Sequence, residues 1–296
     1  MPGIDLNPAK VLEVALFLWR LGHSPETLGL VDLVKRVVAG GLPEIIKAFQ
    51  RFHGLPTTGE IDEATYALIH SPRCAHRDAL AVEDLCRWPQ ARVTWGQAVA
   101  LAQLDDAQVL GAFRAAWSAW AEVCGVEPLE IPQAGPPVIM NVFAYSGDGK
   151  TYGLDGPGGV LAWSQLPCKV QADAKLRQVF DKAESWTLDQ LVAVATHEIG
   201  HALGLPHLGP GTLMSPYYNP AVTKPTAADA AEAVKRYGPP KNPAAGPSPP
   251  AASPPAEPTT PAGSPQPPPL QVWFHADAPG DYVLSLSLRK EVPTVT

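Results

Sequence analysis

Residues 196–207 read THEIGHALGLPH and hold three of the chain's eight histidines in the order H-E-x-x-H-x-x-G-x-x-H. Thr187 followed three residues later by Gln190 makes a capping-box pattern, and Leu188, Leu191, Val192, Ala195 and Ile199 give the stretch the apolar stripe of a helix over 188–203. On that helix His197 and His201 lie one turn apart on nearly the same face, so both imidazoles reach one ion. Gly204 lets the chain leave the helix through a left-handed conformation, which swings His207 back as a third nitrogen. Three imidazoles suit zinc. Three protein ligands leave a fourth position for a water whose pKa the metal lowers toward about 7, and Glu198 is placed to take its proton and pass it to a leaving amine. The chemistry expected is amide hydrolysis.

Outward from this helix the pattern is mixed past Trp88, with strands expected over 91–95, 138–144 and 159–165 and helices over 107–123 and 227–237. That is an α+β domain. Ahead of it, residues 1–78 read as a helical unit with apolar-periodic segments over 11–21, 30–38 and 42–52 and a short helix over 63–69 that Asp62 caps. Behind it, 14 of the 34 prolines fall between Pro239 and Leu270, in a tract too poor in apolar side chains to fold, which reads as a linker. Residues 271–296 alternate apolar and polar positions around Pro279-Gly280, as a short β appendage or a truncated β-sandwich would.

Composition excludes several classes. At 296 residues and 46% hydrophobic content the chain can bury a sizeable core, and a net charge of -7 without runs of like charge argues against a nucleic-acid partner. No apolar run approaches the roughly 18 residues of a membrane span. The start MPGIDLNPAK has neither a basic n-region nor a long apolar stretch, so no signal peptide is read there. Four cysteines, Cys74, Cys86, Cys124 and Cys168, are too irregularly spaced for a disulfide framework or a four-cysteine zinc site, although Cys124 and Cys168 are a pair that could be oxidised.

Met214 follows His207 by seven residues in LMSPYY, and with the zinc motif this order resembles the metzincin zinc peptidases, specifically the matrixins. The resemblance implies a mixed, twisted sheet with three helices in the catalytic domain. It also implies a structural Met214 beneath the histidines, and Pro216 and Tyr218 walling the pocket for a substrate side chain. LDGPGGVLAW from Leu154 is similar to the matrixin calcium loop and the edge strand, here with Leu161 and Ala162, that pairs with a peptide substrate. By the same resemblance, Asp155, carbonyls of Gly156, Gly158 and Val160, and the acids Asp181 and Glu184 form an oxygen shell for calcium.

The resemblance continues into the N-terminal unit, where FQRFHGLPTTGEIDEATYALIHSPRCAHRD is similar to the matrixin propeptide and to bacterial peptidoglycan-binding domains. It implies that Cys74 is the fourth zinc ligand of a latent form, and that Arg73 and Asp78 form the ion pair that steadies the segment. Two departures stand out. Ala75 replaces the usual glycine, and the histidines of the family's second, structural zinc appear here as Ser146, Trp163 and Val179, with only Asp148 of that set present. One zinc, together with calcium, is therefore expected. His76 is expected to face solvent.

The expected organisation is a prodomain over 1–78, an activation segment over 79–87, a catalytic domain over 88–238, the linker over 239–270 and the appendage over 271–296. The expected function is zinc-dependent endopeptidase action on protein or peptide substrates by a monomer, with export implied by the resemblance. The alternative is a cell-wall protein that binds peptidoglycan through its N-terminal domain and carries an inactive or structural metallodomain.

Overall fold

The computed structural model describes residues 8–23, 29–78, 87–97, 101, 103–131, 138–144, 154–169 and 175–241. Residues 79–86 of the activation segment expected over 79–87, with Cys86 among them, Ser146, Asp148, the linker beyond Lys241 and the strands expected after it lie outside the described residues.

Among the described residues the N-terminal unit has four helices: α1 (Pro8–Arg20), α2 (Leu30–Val38), α3 (Leu42–Phe52) and α4 (Glu63–Ile69). Their apolar stripes meet in a small core of Val14, Leu18, Leu33, Ile45, Ile46, Phe49, Ile61 and Ile69. Asp62 caps α4 as the sequence implies, its Oδ1 accepting from Thr65 N at 2.8 Å. Gln50, fully buried, donates to Thr58 Oγ1, the Glu60 carbonyl and Thr65 Oγ1 and accepts from Gly59 N, so one side chain satisfies the turn that joins α3 to α4.

Among the described residues a six-stranded sheet follows, in the order β1-β5-β6-β4-β2-β3. Its strands are β1 (Arg73–Cys74), β2 (Arg92–Gln97), β3 (Glu127–Glu130), β4 (Val138–Ala144), β5 (Val160–Ser164) and β6 (Leu176–Asp181). Only β5 runs antiparallel to its neighbour β6; the other pairings are parallel. The sheet is mixed, as expected, but β3 and β6 are strands the sequence pattern did not show. The edge strand β1 belongs to the N-terminal unit and extends the sheet of the second domain.

Helices α5 (Asp106–Ala121), α6 (Leu188–Ala202) and α7 (Ala227–Tyr237) complete that domain. A full capping box of Asp105 and Gln108 starts α5, whose Val109, Phe113, Trp117 and Trp120 pack with Leu191, Ala195 and Ile199 of α6 and with Leu176 and Phe180 of the sheet. Burying each large apolar side chain contributes roughly 1.5–3 kcal/mol. This core holds α6, the carrier of the zinc motif, rigid from beneath. Trp120 Nε1 reaches across to donate to the Thr196 carbonyl at 2.8 Å, one residue before the first motif histidine.

Candidate metal centre and active site

The C-terminus of α6 ends in a Schellman motif: Leu205 N donates to the Gly200 carbonyl at 2.9 Å and Gly204 N to the His201 carbonyl at 2.8 Å, with Gly204 at φ 89°. The remaining end carbonyls are also satisfied, Ala202 by Trp88 Nε1 at 2.8 Å and Leu203 by Tyr237 Oη at 2.9 Å. This turn redirects the chain so that His207 meets His197 and His201, their ring centroids 4.7–5.4 Å apart. Nε2 of His197 and His201 stand 3.1 Å apart.

Cys74 completes the group. Its Sγ and one nitrogen from each of the three histidines all lie within 4.8 Å of one another, and all four residues are buried. Each ring's Nδ1 is engaged by a carbonyl: His197 by Leu213 at 2.8 Å, His201 by Leu205 at 2.8 Å and His207 by Arg77 at 3.0 Å. Nε2 is thereby left as the lone-pair nitrogen, and His207 Nε2 is buried without a partner. Three imidazoles and a thiol with this second layer fit zinc.

Burial sets the electrostatics. It pushes the Cys74 thiol well up, with Glu198 adding to the effect, raises Glu198 to about 8, lowers His197 to about 4 and holds His201 and His207 well below their usual range. Both carboxylate oxygens of Glu198 are buried with no hydrogen-bond partner. Cys74, Glu198, His197, Leu161, Pro216 and Tyr218 line one cavity. Ala162 is not among the residues that line it; its carbonyl accepts from Ala75 N at 2.9 Å.

The predicted methionine turn is held by a residue that the sequence reading passed over. Fully buried Asp229 accepts from Leu213 N at 2.8 Å, Met214 N at 3.0 Å and Thr226 N at 2.8 Å. Its Thr226-x-x-Asp229 spacing is a capping pattern that could have flagged it. Met214 is fully buried, and a Cβ added at Gly200 would sit 2.3 Å from Met214 Sδ and 2.9 Å from Trp120 Cζ2. The glycine inside the zinc helix is thus required by the methionine beneath it.

Residues 72–75 lie in the cleft as a strand. Arg73 N donates to the Gly159 carbonyl at 3.0 Å and Ala75 N to the Ala162 carbonyl at 2.9 Å, while on the other rim Cys74 N donates to the Pro216 carbonyl and Tyr218 N to the Pro72 carbonyl, both at 2.9 Å. Arg73 is 2% exposed, its guanidinium sandwiched between the Phe17 and Tyr217 rings at 5.5 and 4.8 Å. It donates to Asp78 Oδ1 at 2.5 Å and to Tyr217 Oη at 3.1 Å. Asp78 Oδ2 meets His23 Nε2 at 2.7 Å and His53 Nε2 at 3.0 Å. Burial opposes ionisation of Asp78, but Arg73 and the two histidines outweigh it and hold the carboxyl well below the usual carboxylate range.

His23, His53 and Asp78 also converge closely enough to bind an ion. Their one carboxylate is already matched by Arg73, so a divalent ion there would remain a buried, uncompensated charge. The group is a hydrogen-bonded hub. Neither histidine stood out in the sequence, because each reads as an isolated polar residue at a helix end.

One expectation is corrected, and one pairing left open by the sequence is not formed. His76 does not face solvent: it is 9% exposed, its ring lies 4.5 Å from that of His201, and its backbone N–H points to Cys74 Sγ at 3.3 Å. The imidazole packs against the histidine cluster. Cys124 does not pair with Cys168. It is a free, buried thiol donating to the Trp120 carbonyl at 3.3 Å, whereas Cys168 is disulfide-bonded.

The expected calcium residues are gathered in one loop, but through its amides. Val160 N donates to Asp155 Oδ1 at 2.7 Å, Gly156 N to Asp181 Oδ2 at 3.0 Å and Gly158 N to Glu184 Oε1 at 2.8 Å. Burial and the neighbouring carboxylates push Asp155 and Glu184 above the usual range. The three acids are not among the groups of described residues whose ligand atoms converge within 4.8 Å. Where the family's second zinc maps, Trp163 and Val179 join Leu154 and Val160 in an apolar cluster.

The sequence model of the family described as Matrixin matches residues 87–238, and that described as "Putative peptidoglycan binding domain" matches residues 10–69. Matrix metalloproteinase-25 of Homo sapiens is 35% identical over 210 residues, covering 62% of this chain and 36% of that protein. Macrophage metalloelastase of Rattus norvegicus is 34% identical over 215 residues, covering 68% and 45%. Matrix metalloproteinase-25 of Mus musculus is 32% identical over 249 residues, covering 76% and 40%. The chain spans less than half the length of these curated relatives. Among the described residues no helix is long and apolar enough to cross a membrane.

Proposed function

The chain belongs to the matrixin family, and on that premise we propose that it is a zinc-dependent endopeptidase held latent by its own N-terminal domain. The observation that carries this reading is the convergence of Cys74 with His197, His201 and His207 beside a fully buried Glu198.

In this reading His197, His201 and His207 hold zinc through Nε2, and zinc when bound supplies the Lewis acidity that makes water a nucleophile at neutral pH. Glu198 takes the proton of the attacking water at a carboxylate oxygen and returns it to the departing amine nitrogen, a role worth roughly 10²–10⁴-fold in rate. Burial by itself favours the neutral acid, so the role depends on the positive charge of zinc, which when bound would favour the carboxylate that accepts the proton. The β5 edge, with the carbonyls of Gly159 and Ala162, and the opposite rim, with the Pro216 carbonyl and the Tyr218 N–H, receive an extended peptide by strand addition. Those are the groups that residues 72–75 engage now, so the prodomain blocks both the metal and the substrate channel.

Activation then requires departure of the 72–78 segment, by cleavage within 79–87 or by modification of the Cys74 thiol. Calcium bound by Asp155, Asp181 and Glu184 would relieve their mutual repulsion and stiffen the loop that leads into β5. The apolar cluster around Trp163 and Val179 supports one zinc rather than two. Secretion is proposed from the family alone. The match of residues 10–69 to a peptidoglycan-binding domain supports a cell-wall ligand for the prodomain as a second reading.

Incubation of the full chain with zinc and calcium on denatured casein, with and without a thiol-modifying reagent, tests the proposal. Proteolysis should appear with the reagent and be lost in Glu198→Ala while zinc is kept. If peptidoglycan affinity is the only activity found and is unchanged in Glu198→Ala, the binding reading replaces it.

A further inference from the structure

Two of the three motif histidines are oriented from inside the catalytic domain. His197 Nδ1 donates to Leu213 O, in the turn clamped by Asp229, and His201 Nδ1 to Leu205 O, in the Schellman turn. The third is not. His207 Nδ1 donates to the carbonyl of Arg77, 130 residues earlier in the chain, and Asp78 Oδ1 lies 3.7 Å from the same nitrogen. That carbonyl is fixed in place by the prodomain: Asp78 N donates to Leu21 O at 3.0 Å, and the Asp78 carboxylate is pinned by Arg73, His23 and His53.

We infer that the Arg77 carbonyl, backed by the Asp78 carboxylate, is the outer partner of the third zinc ligand, so the prodomain holds the metal through His207 as well as through Cys74. This rests on the reading of the four-residue group as a zinc centre. An acceptor on Nδ1 fixes the tautomer that presents Nε2 to the ion, holds the ring's orientation and raises its basicity, and losing such a partner typically costs 10–100-fold in metal affinity. When the segment leaves, His197 and His201 keep their carbonyls and His207 alone loses its own. The latent chain is therefore the form that loads and retains zinc, and the released enzyme exchanges it more readily, independently of the lost thiolate.

The test compares full-length Cys74→Ser with full-length Cys74→Ser/Asp78→Ala, both loaded with zinc, so that neither arm carries the thiolate. Two quantities are read: the rate of zinc transfer to a chromogenic chelator, and the solvent exchange of imidazole Nδ1–H protons in long-range ¹H–¹⁵N spectra. Cys74→Ser should show three protected protons on zinc-bound rings, and the double variant two, with zinc release faster by about 10–100-fold. Three equally protected protons in both arms overturn the inference, even if release is faster, since access alone would then explain the rate. Should the double variant lose its folded spectrum, nicking Cys74→Ser within 79–87 and separating the prodomain makes the same comparison. A Cys74→Ser chain that binds no zinc at all would instead sink the zinc-centre reading on which the inference stands.

Discussion

Asp78→Ala in the full-length chain should open the latch while leaving Glu198 and the three motif histidines unsubstituted. The Asp78 side chain is completely buried and accepts from Arg73 at 2.5 Å, His23 at 2.7 Å and His53 at 3.0 Å. Its removal leaves the Arg73 guanidinium, 2% exposed, as an unpaired charge between two aromatic rings. Breaking a buried pair by deleting one partner costs about 3–5 kcal/mol. That cost falls on the seated state of residues 72–78 and not on the open state, where water solvates Arg73. At about 1.4 kcal/mol per tenfold, the opening equilibrium rises by roughly 10²-fold to several 10³-fold. The assay is the rate at which Cys74 reacts with a chromogenic disulfide reagent, with Cys124, fully buried in the catalytic core, as the unreactive internal reference. The rate should rise by that factor until opening saturates, and casein hydrolysis by the unprocessed chain should rise with it. A folded variant with wild-type thiol reactivity would refute the assignment of Asp78 as the keystone of latency.

Cys74→Ser leaves residues 72–78 seated for most of the time but removes the sulfur ligand that holds them on the metal, so the full-length chain should open more often and show proteolysis above that of untreated wild type; equal activity counts against the switch. Gly200→Ala gains up to about 1 kcal/mol of helix propensity but drives a methyl to 2.3 Å from Met214 Sδ, an overpacking cost of about 1–3 kcal/mol, so the melting temperature should fall and zinc should bind more weakly. Unchanged melting would mean that Met214 is not the floor of the site. In the metal-free chain, burial lowers His197 to about 4, so the unfolded state binds more protons than the folded one between about pH 6.5 and 4, and stability must fall as pH drops through that window. For this residue alone the loss is about 2–3 kcal/mol; Glu198, raised to about 8, contributes in the opposite sense, so the denaturant melts at pH 7 and pH 4.5 are made on Glu198→Gln, where flat stability would contradict burial of a neutral ring.

The zinc helix, its exit turn and the methionine were legible because each is a local pattern: i, i+4 spacing, a glycine after the last periodic residue, and a fixed offset along the chain. The helices of the N-terminal unit were legible for the same reason, from apolar periodicity and the Asp62 cap. What stayed hidden depends on distant partners. Strand β1 spans only Arg73–Cys74 and exists because β5 and the Pro216 rim lie on either side of it. Glu127–Glu130 carries no apolar alternation, and pairs only because β2 offers it a free edge. Asp229, His23 and His53 looked like ordinary polar residues until folding set them against the methionine turn and Asp78. His76 was misjudged because a polar residue beside a cysteine suggests exposure, whereas the rings of His201 and His207 provide a surface for it.

Cobalt substitution of the full-length chain tests the central claim most directly. One cobalt ion per chain should bind with a thiolate-to-metal charge-transfer band that vanishes in Cys74→Ser while the ion remains. Stoichiometric binding without that band in the unmodified chain, or no binding, would contradict an ion held by Cys74, His197, His201 and His207.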